Sequence, residues 1–288
     1  VRTVSPVVRV PASTSNLGAG FDCVGLALDL WLEAKLVEGA GPPVYRGTLA
    51  GLDPRRDVIA RQLEAAGLAG RWHFAVHSDI PVGKGLGSSG AAVVAGLALV
   101  ELARGAPLNR DRLLQRGAEI EGHPDNVGPA LFGGLFLASQ HPSRLDIAPG
   151  ISVALAVPER SLDTHAARAR LPREVPREVA TAQAARAAAL ILGLTRGDPA
   201  LIAYGMDDRL AVPYRKDLIA GFEQAVAAGR ATGAYGVTIS GAGSALLALC
   251  PAAAAAAAAS AMAEALTAAG NTAAALTPSV ARTGLTVA

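Results

Sequence analysis

Apolar residues along this chain alternate between short β-rich runs and longer stretches with helical spacing. Val7 to Val10, Leu26 to Val37 and Trp72 to His77 predict strands, and Ala91 to Arg104 and Arg110 to Glu121 predict helices. Around Pro142 to Pro149 the composition turns to Pro, Ser and Arg, after which Ile151 to Val157 starts a fresh buried strand. That shift predicts a boundary near Gly150, with one domain over residues 1–148 and a second over 149–288. The second part carries a Pro- and Arg-rich connector from Arg168 to Arg177 and helices through Val179 to Leu194 and Leu218 to Gly229. Strands flanking Gly241 and an alanine-rich helix complete it. Helices and strands mix in both parts, so the expected class is α+β.

The length of 288 residues and the 51% hydrophobic content suffice for a large buried core and argue against disorder. Lys and Arg number 26 against 24 Asp and Glu, and aromatics are 4%, so the basic and aromatic surface of a nucleic-acid binder is missing. Cys23 and Cys250 lie far apart without metal-ligand spacing and read as small buried hydrophobes. Mean hydropathy is +0.34, and the charge-free run from Ala231 to Ala263 could pass for a membrane span. Four glycines in its first half, Pro251 and a run of small alanines favour strand, turn, strand and helix instead. Val1 to Val10 carries Arg2, Pro6 and Arg9 and lacks a leader's apolar core, which leads to the expectation of a cytoplasmic, non-membrane protein.

The richest chemistry lies in Pro81-Val-Gly-Lys-Gly-Leu-Gly-Ser-Ser-Gly90, which opens at once into a fully apolar helix. A helix start offers unpaired backbone N–H groups and partial positive charge, and glycines let an anion approach closely, so phosphate binding is the natural use. Two other glycine-loop motifs do not fit the sequence. A dinucleotide fingerprint would need a second strand ending in an acidic residue, and a Walker A loop would need Ser or Thr after Lys84. A plain capping turn, with Ser88 or Ser89 as N-cap, remains the structural alternative.

Three separated segments resemble one family, the GHMP small-molecule kinases. They are Pro11 to Leu28, which carries Asn16 and Asp22, the glycine loop Pro81 to Gly90, and Val237-Thr-Ile-Ser-Gly-Ala-Gly-Ser244. Glu121-Gly-His-Pro-Asp-Asn-Val-Gly-Pro-Ala130, Thr164 to Pro172 and Asp208 to Arg215 are similar to segments of the branch that phosphorylates homoserine. The resemblance implies a two-domain fold, ribosomal protein S5 domain 2-like at the N-terminus and ferredoxin-like at the C-terminus. It also implies ATP and Mg²⁺ as cofactors, L-homoserine as acceptor and a homodimer. Ala211, where the family usually has His, and Asp57, where Asn near the adenine is common, depart from the pattern.

The same resemblance distributes the roles. Arg168 and Arg215 would grip the carboxylate of an amino-acid alcohol, for which their planar forks are suited. Asn16 and Asp22 would meet its ammonium and hydroxyl, and His123, Asp125 and Asn126 would position it. Pro81, Val82, Gly83, Lys84, Gly85, Leu86, Gly87, Ser88, Ser89 and Gly90, with Ser240, Gly241 and Gly243, would hold the triphosphate. Ser89 and Glu121 are the candidates for Mg²⁺, with Ser88 and Glu119 as near-equal substitutes. Two alternatives stay open: a kinase of the same family acting on another small alcohol, and a non-catalytic relative that binds nucleotide or an amino acid.

Overall fold

The computed structural model describes residues 6–288. Residues 1–5, on which part of the leader reading falls, lie outside them. The described chain runs β1 (Val7–Asn16), β2 (Gly20–Glu38), β3 (Val44–Gly47), α1 (Val58–Ala65), β4 (Trp72–Ser78), α2 (Ser88–Ala103), α3 (Arg110–Glu121), α4 (Val127–Phe132), β5 (Leu135–Leu137), β6 (Ser143–Leu145) and β7 (Ile151–Pro158). It continues through α5 (Thr164–Ala169), α6 (Arg177–Arg196), α7 (Pro199–Met206), α8 (Val212–Arg215), α9 (Phe222–Ala231), β8 (Gly236–Ile239), β9 (Leu246–Pro251), α10 (Ala255–Ala268), β10 (Ala273–Leu276) and β11 (Thr286–Val287).

Two sheets result. The first has the order β11-β1-β2-β4-β3, with β5 on β2 and β6 on β5. Strand β2 is long enough to pair β5 near its start, at Val24 to Leu26, and β4 near its end, at Leu32 to Glu38. The second sheet has the order β10-β7-β9-β8 and its pairs are antiparallel. Although β11 comes last in sequence, it joins the first sheet by pairing with β1, so the chain's end returns to its beginning.

Alternation along the strands decides which face each residue buries. In β7, Val153, Leu155 and Val157 join the main core with Leu190, Leu194 and Ile202 of α6 and α7. Their neighbours Ala154 and Ala156 face the other way, into a second cluster with Ala258, Met262 and Leu266 of α10. Helix α2 has apolar residues all round and, apart from Ala92, is buried from Gly90 to Glu101, as a helix without a polar stripe must be. It packs on β1 and β2.

Several boundaries differ from the sequence expectation, each for a local reason. Helix α2 starts at Ser88 rather than Ala91, because left-handed Gly87 (φ 70°) is the cap and the last residues of the loop form the first turn. The helix expected over Leu218 to Gly229 is split by left-handed Gly221, leaving a short 3₁₀ turn at Lys216–Leu218 and then α9. Arg168 lies inside α5, started by the Asp163 side chain accepting from Ala166 N at 2.8 Å, and not in the connector that follows. Cys250 is buried, whereas Cys23 is half-buried, and both thiols are free. No helix among the described residues is long and apolar enough to cross a membrane.

Candidate active site

The end of β1 is the first wall of the site, and its polarity is unusual for a core strand. Ser13, Thr14 and Ser15 are fully buried, and their hydroxyls tie the strand alternately to Asn126 and to Ser240. Ser13 Oγ donates to Asn126 Oδ1 at 2.8 Å, Asn126 Nδ2 donates to Ser15 Oγ at 3.1 Å, and Thr14 and Ser240 share a hydroxyl bond of 2.8 Å. Three consecutive hydroxyl residues at the end of an apolar strand are the sequence signal that could have named them. The chain then turns through Asn16 and Leu17, both at positive φ, and Asp22 also sits at φ 54°, a conformation that non-glycine residues adopt at a cost. The Asn16 amide holds this turn, accepting from Asp22 N at 2.9 Å and donating to Gly241 O at 2.8 Å.

The glycine loop is pressed between the two sheets. A Cβ on Gly85 would stand 2.0 Å from Ser240 O, and one on Gly87 would stand 2.1 Å from Ser13 Oγ. Glycine at these positions is therefore demanded by packing as well as by φ. Ser240 Oγ donates to Gly85 O at 2.7 Å and Ala245 N to Lys84 O at 3.0 Å, so the third motif is stapled directly under the second. No side chain caps the start of α2, which leaves its amides turned to the cleft. Beside them Ser89 Oγ donates to Glu121 Oε1 at 2.6 Å, whereas Glu119 faces away and takes a bond from Gln115. Of the two pairs left open by the sequence, Ser89 and Glu121 are the ones that meet.

Lys84 does not point at the cleft. It is 9% exposed, and its ammonium donates to the Glu159 carbonyl and to Ser161 Oγ, anchoring the loop to the end of β7. Burial pushes its pKa down. The side chain thus reinforces the seam between loop and second sheet.

Opposite the loop lie the charged residues. Asp22 and Arg168 form a two-pronged pair, Nη1 to Oδ2 at 2.9 Å and Nη2 to Oδ1 at 2.8 Å. Arg215 is 3% exposed. Its Nε donates to Ala167 O at 3.2 Å, and among the described residues neither Nη has a protein acceptor. Burial, and then the nearby Arg168 charge, push its pKa down. Phe21 lies between the two arginines, its ring 5.3 Å from the Arg215 guanidinium carbon and 6.0 Å from that of Arg168. His123 Nδ1 bonds the buried Asp125 carboxylate, which raises the His123 pKa against the opposing effect of burial.

One cleft brings most of the expected residues together. Asn16, Asp22, Gly83 to Gly90, Glu121, His123, Asp125, Asn126, Arg168, Arg215, Gly241 and Gly243 all line it, with Ser15, Thr164 and Ala242 in addition. Pro81 and Val82 do not, being at the outer start of the loop, and Ser240 lies beneath it. Leu86 lines the cleft through its backbone, its side chain being 1% exposed in the core. Beyond Ser89 and Glu121 the cleft continues into a wider groove flanked by Arg55, Arg61, Gln62 and Arg116. Asp57 is occupied elsewhere, capping α1 through Ile59 N at 2.7 Å and accepting from Tyr45. Ala211 is 4% exposed, behind Arg215.

Residues 56–134 match the GHMP kinases N terminal domain model and residues 190–268 the GHMP kinases C terminal model. The chain belongs to the GHMP kinase family. Within it, this GHMP kinase is 39% identical over 258 residues to the homoserine kinase of Moorella thermoacetica, covering 85% of this chain and 87% of that protein. It is 38% identical over 286 residues to the homoserine kinase of Synechococcus sp. strain CC9605, covering 92% of this chain and 90% of that one. The crystal structure of homoserine kinase from Cytophaga hutchinsonii superposes with a TM-score of 0.87 at 28% identity, covering 100% of this chain and 98% of that chain. Mevalonate kinase from L. major, in complex with R-mevalonate, shares the fold at a TM-score of 0.72 and 15% identity, covering 96% of each chain. The two-domain GHMP kinase fold expected from the sequence is the fold observed.

Proposed function

We propose that this GHMP kinase transfers the γ-phosphoryl group of ATP to the side-chain hydroxyl of L-homoserine, giving O-phospho-L-homoserine. The observation that carries the reading is the juxtaposition, in one cleft, of a glycine-rich helix start without a side-chain cap with Asp22, Arg168 and a buried Arg215 whose two Nη groups have no protein acceptor among the described residues. An anion-binding end and an end for a zwitterion meet there, which is what a phosphate donor and an amino-acid alcohol together require. The relatives named homoserine kinase support the same acceptor.

The triphosphate lies on the loop amides at the start of α2, and the cationic groove beyond Ser89 takes the rest of the nucleotide. The acceptor's carboxylate goes to Arg215 and Arg168 and its ammonium to Asp22. Asp22 and Arg168 pair with one another, so the zwitterion's ammonium and carboxylate each take over a partner from that pair and leave the net charge of the cleft unchanged. A phosphoryl transfer with a loose transition state depends on alignment and charge neutralisation more than on proton abstraction. Asp125 is consistent with this: its carboxylate is already bound by His123 and by Asn126 Nδ2 at 3.3 Å, so it serves as a fixed wall.

For the metal, Ser89 and Glu121 supply a hydroxyl and a carboxylate oxygen within 2.6 Å of each other, a hard-oxygen set that fits Mg²⁺. When bound there, Mg²⁺ would neutralise charge on the phosphate oxygens. The deciding experiment is an ADP-release assay with purified protein across homoserine, mevalonate, galactose and shikimate. Turnover of homoserine with the highest kcat/KM is expected. Preference for another alcohol would reassign the acceptor, and no turnover of any would turn the reading toward a non-catalytic binding protein.

A further inference from the structure

We propose that Thr238 and a single buried water form a positioning element behind Arg215, the water bridging the Thr238 hydroxyl and the guanidinium. Strand β8 turns Val237 and Ile239 into the second core cluster, and alternation sends Thr238 to the opposite face. There Thr238 is 1% exposed, and its Oγ1 has no hydrogen-bond partner among the described residues. A buried hydroxyl without a partner keeps the full cost of leaving water, so such groups are rare and call for a specific occupant.

Thr238 lines a cavity of about 10 Å³ together with Asn16, Asp208, Ala211 and Arg215. That is on the scale of one water, and the lining is polar enough to hold it. The neighbouring groups narrow down what it can bond. Asp208 is saturated, accepting from Gln183 Nε2 at 2.6 Å and from the backbone N–H groups of Leu210, Ala211 and Val212 at 3.0, 2.8 and 2.5 Å. The Asn16 amide is engaged by Asp22 and Gly241. The Thr238 hydroxyl and the Arg215 Nη donors are the lining groups without a partner among the described residues. A water accepts from the guanidinium and completes the hydroxyl's bonding. The small side chain of Ala211 forms part of the cavity wall.

The consequence concerns orientation. One bond at Nε leaves a guanidinium free to tilt, whereas a second anchor at Nη fixes its plane and so presents the other Nη edge to the cleft. Fixing a binding group in advance removes ordering cost from the association step. This rests on the reading of Arg215 as a carboxylate ligand, so two kinds of readout are needed.

The first is a high-resolution crystal structure of the protein without substrate, where density bonded to both Thr238 Oγ1 and an Arg215 Nη is expected, and a cavity without density would overturn the proposal. The second is steady-state kinetics of Thr238→Val, which keeps shape and β-propensity but loses the hydroxyl. The homoserine KM should rise about five- to tenfold, with kcat and the ATP KM within about twofold, and Thr238→Ser should restore it. Ala211→Val, which fills the cavity and leaves the hydroxyl intact, should raise the homoserine KM in the same way. Unchanged KM values in both valine variants, or equal weakening toward ATP and homoserine, would refute the positioning role. Should the wild type turn over another acceptor or none, the density alone still decides whether the water is there.

Discussion

Replacing Asp22 by Asn separates its two relationships, one with Arg168 in the free protein and one with the acceptor's ammonium. The substitution keeps size and removes the charge. In the free protein the Asp22 and Arg168 side chains are 33% and 37% exposed, so solvent screening reduces their mutual stabilisation to about 0.5–1 kcal/mol. For a chain of this size that amounts to a fall in Tm of about 1–2 °C. In the complex the carboxylate faces an ammonium in a cleft from which water is displaced, where a charge-assisted hydrogen bond contributes about 1.5–3 kcal/mol, or about 10- to 100-fold in kcat/KM. The assay compares homoserine with 4-hydroxybutanoate, which keeps the carboxylate and hydroxyl and lacks the ammonium. Wild type should prefer homoserine by about 10- to 100-fold, and Asp22→Asn should compress that preference to about threefold or less while leaving the ATP KM unchanged. A variant that keeps the full preference would refute the assignment of Asp22 to the ammonium. A large fall in Tm with equal losses for both substrates would make its role structural.

Further outcomes follow from the same geometry. Gly87→Ala places a methyl 2.1 Å from Ser13 Oγ at a left-handed position and should abolish ATP binding measured by equilibrium dialysis, while a variant that binds ATP normally would remove the loop from the nucleotide site. Glu121→Gln should raise the Mg²⁺ concentration for half-maximal activity about tenfold or more, with Glu119→Gln near wild type; the reverse order would exchange the two residues. His123 has a folded-state pKa above its ordinary value of 6.5, owing first to its bond with Asp125. The stabilisation is therefore complete below about pH 6.5 and is lost as pH rises through the elevated folded value. The Tm difference between wild type and His123→Gln should accordingly shrink as pH rises above about 6.5, and a difference that grows with pH would contradict the pairing.

Elements whose geometry is set by neighbouring residues were legible in the chain itself. Helix α3 spans Arg110 to Glu121 as its pattern predicts, because Asn109 caps its start and left-handed Gly122 stops it. The glycine loop was readable for a similar reason, since few residues other than glycine tolerate its backbone and an apolar helix follows immediately. Other features needed the folded chain. Asp22 and Arg168, 146 positions apart, were separately assigned to substrate, and only tertiary packing brings them into contact with each other. Lys84 carries nothing local that turns it from phosphate toward the Glu159 carbonyl; the position of β7 against the loop does that. That Glu121 rather than Glu119 meets Ser89 depends on how α3 is rotated against the start of α2, and the cavity beside the Thr238 hydroxyl is walled by Asn16, Ala211 and Arg215, which come from distant parts of the chain. Backbone chemistry is short-ranged and therefore written in adjacent residues, whereas the pairing of charges and the shape of cavities depend on which distant surfaces the core brings together.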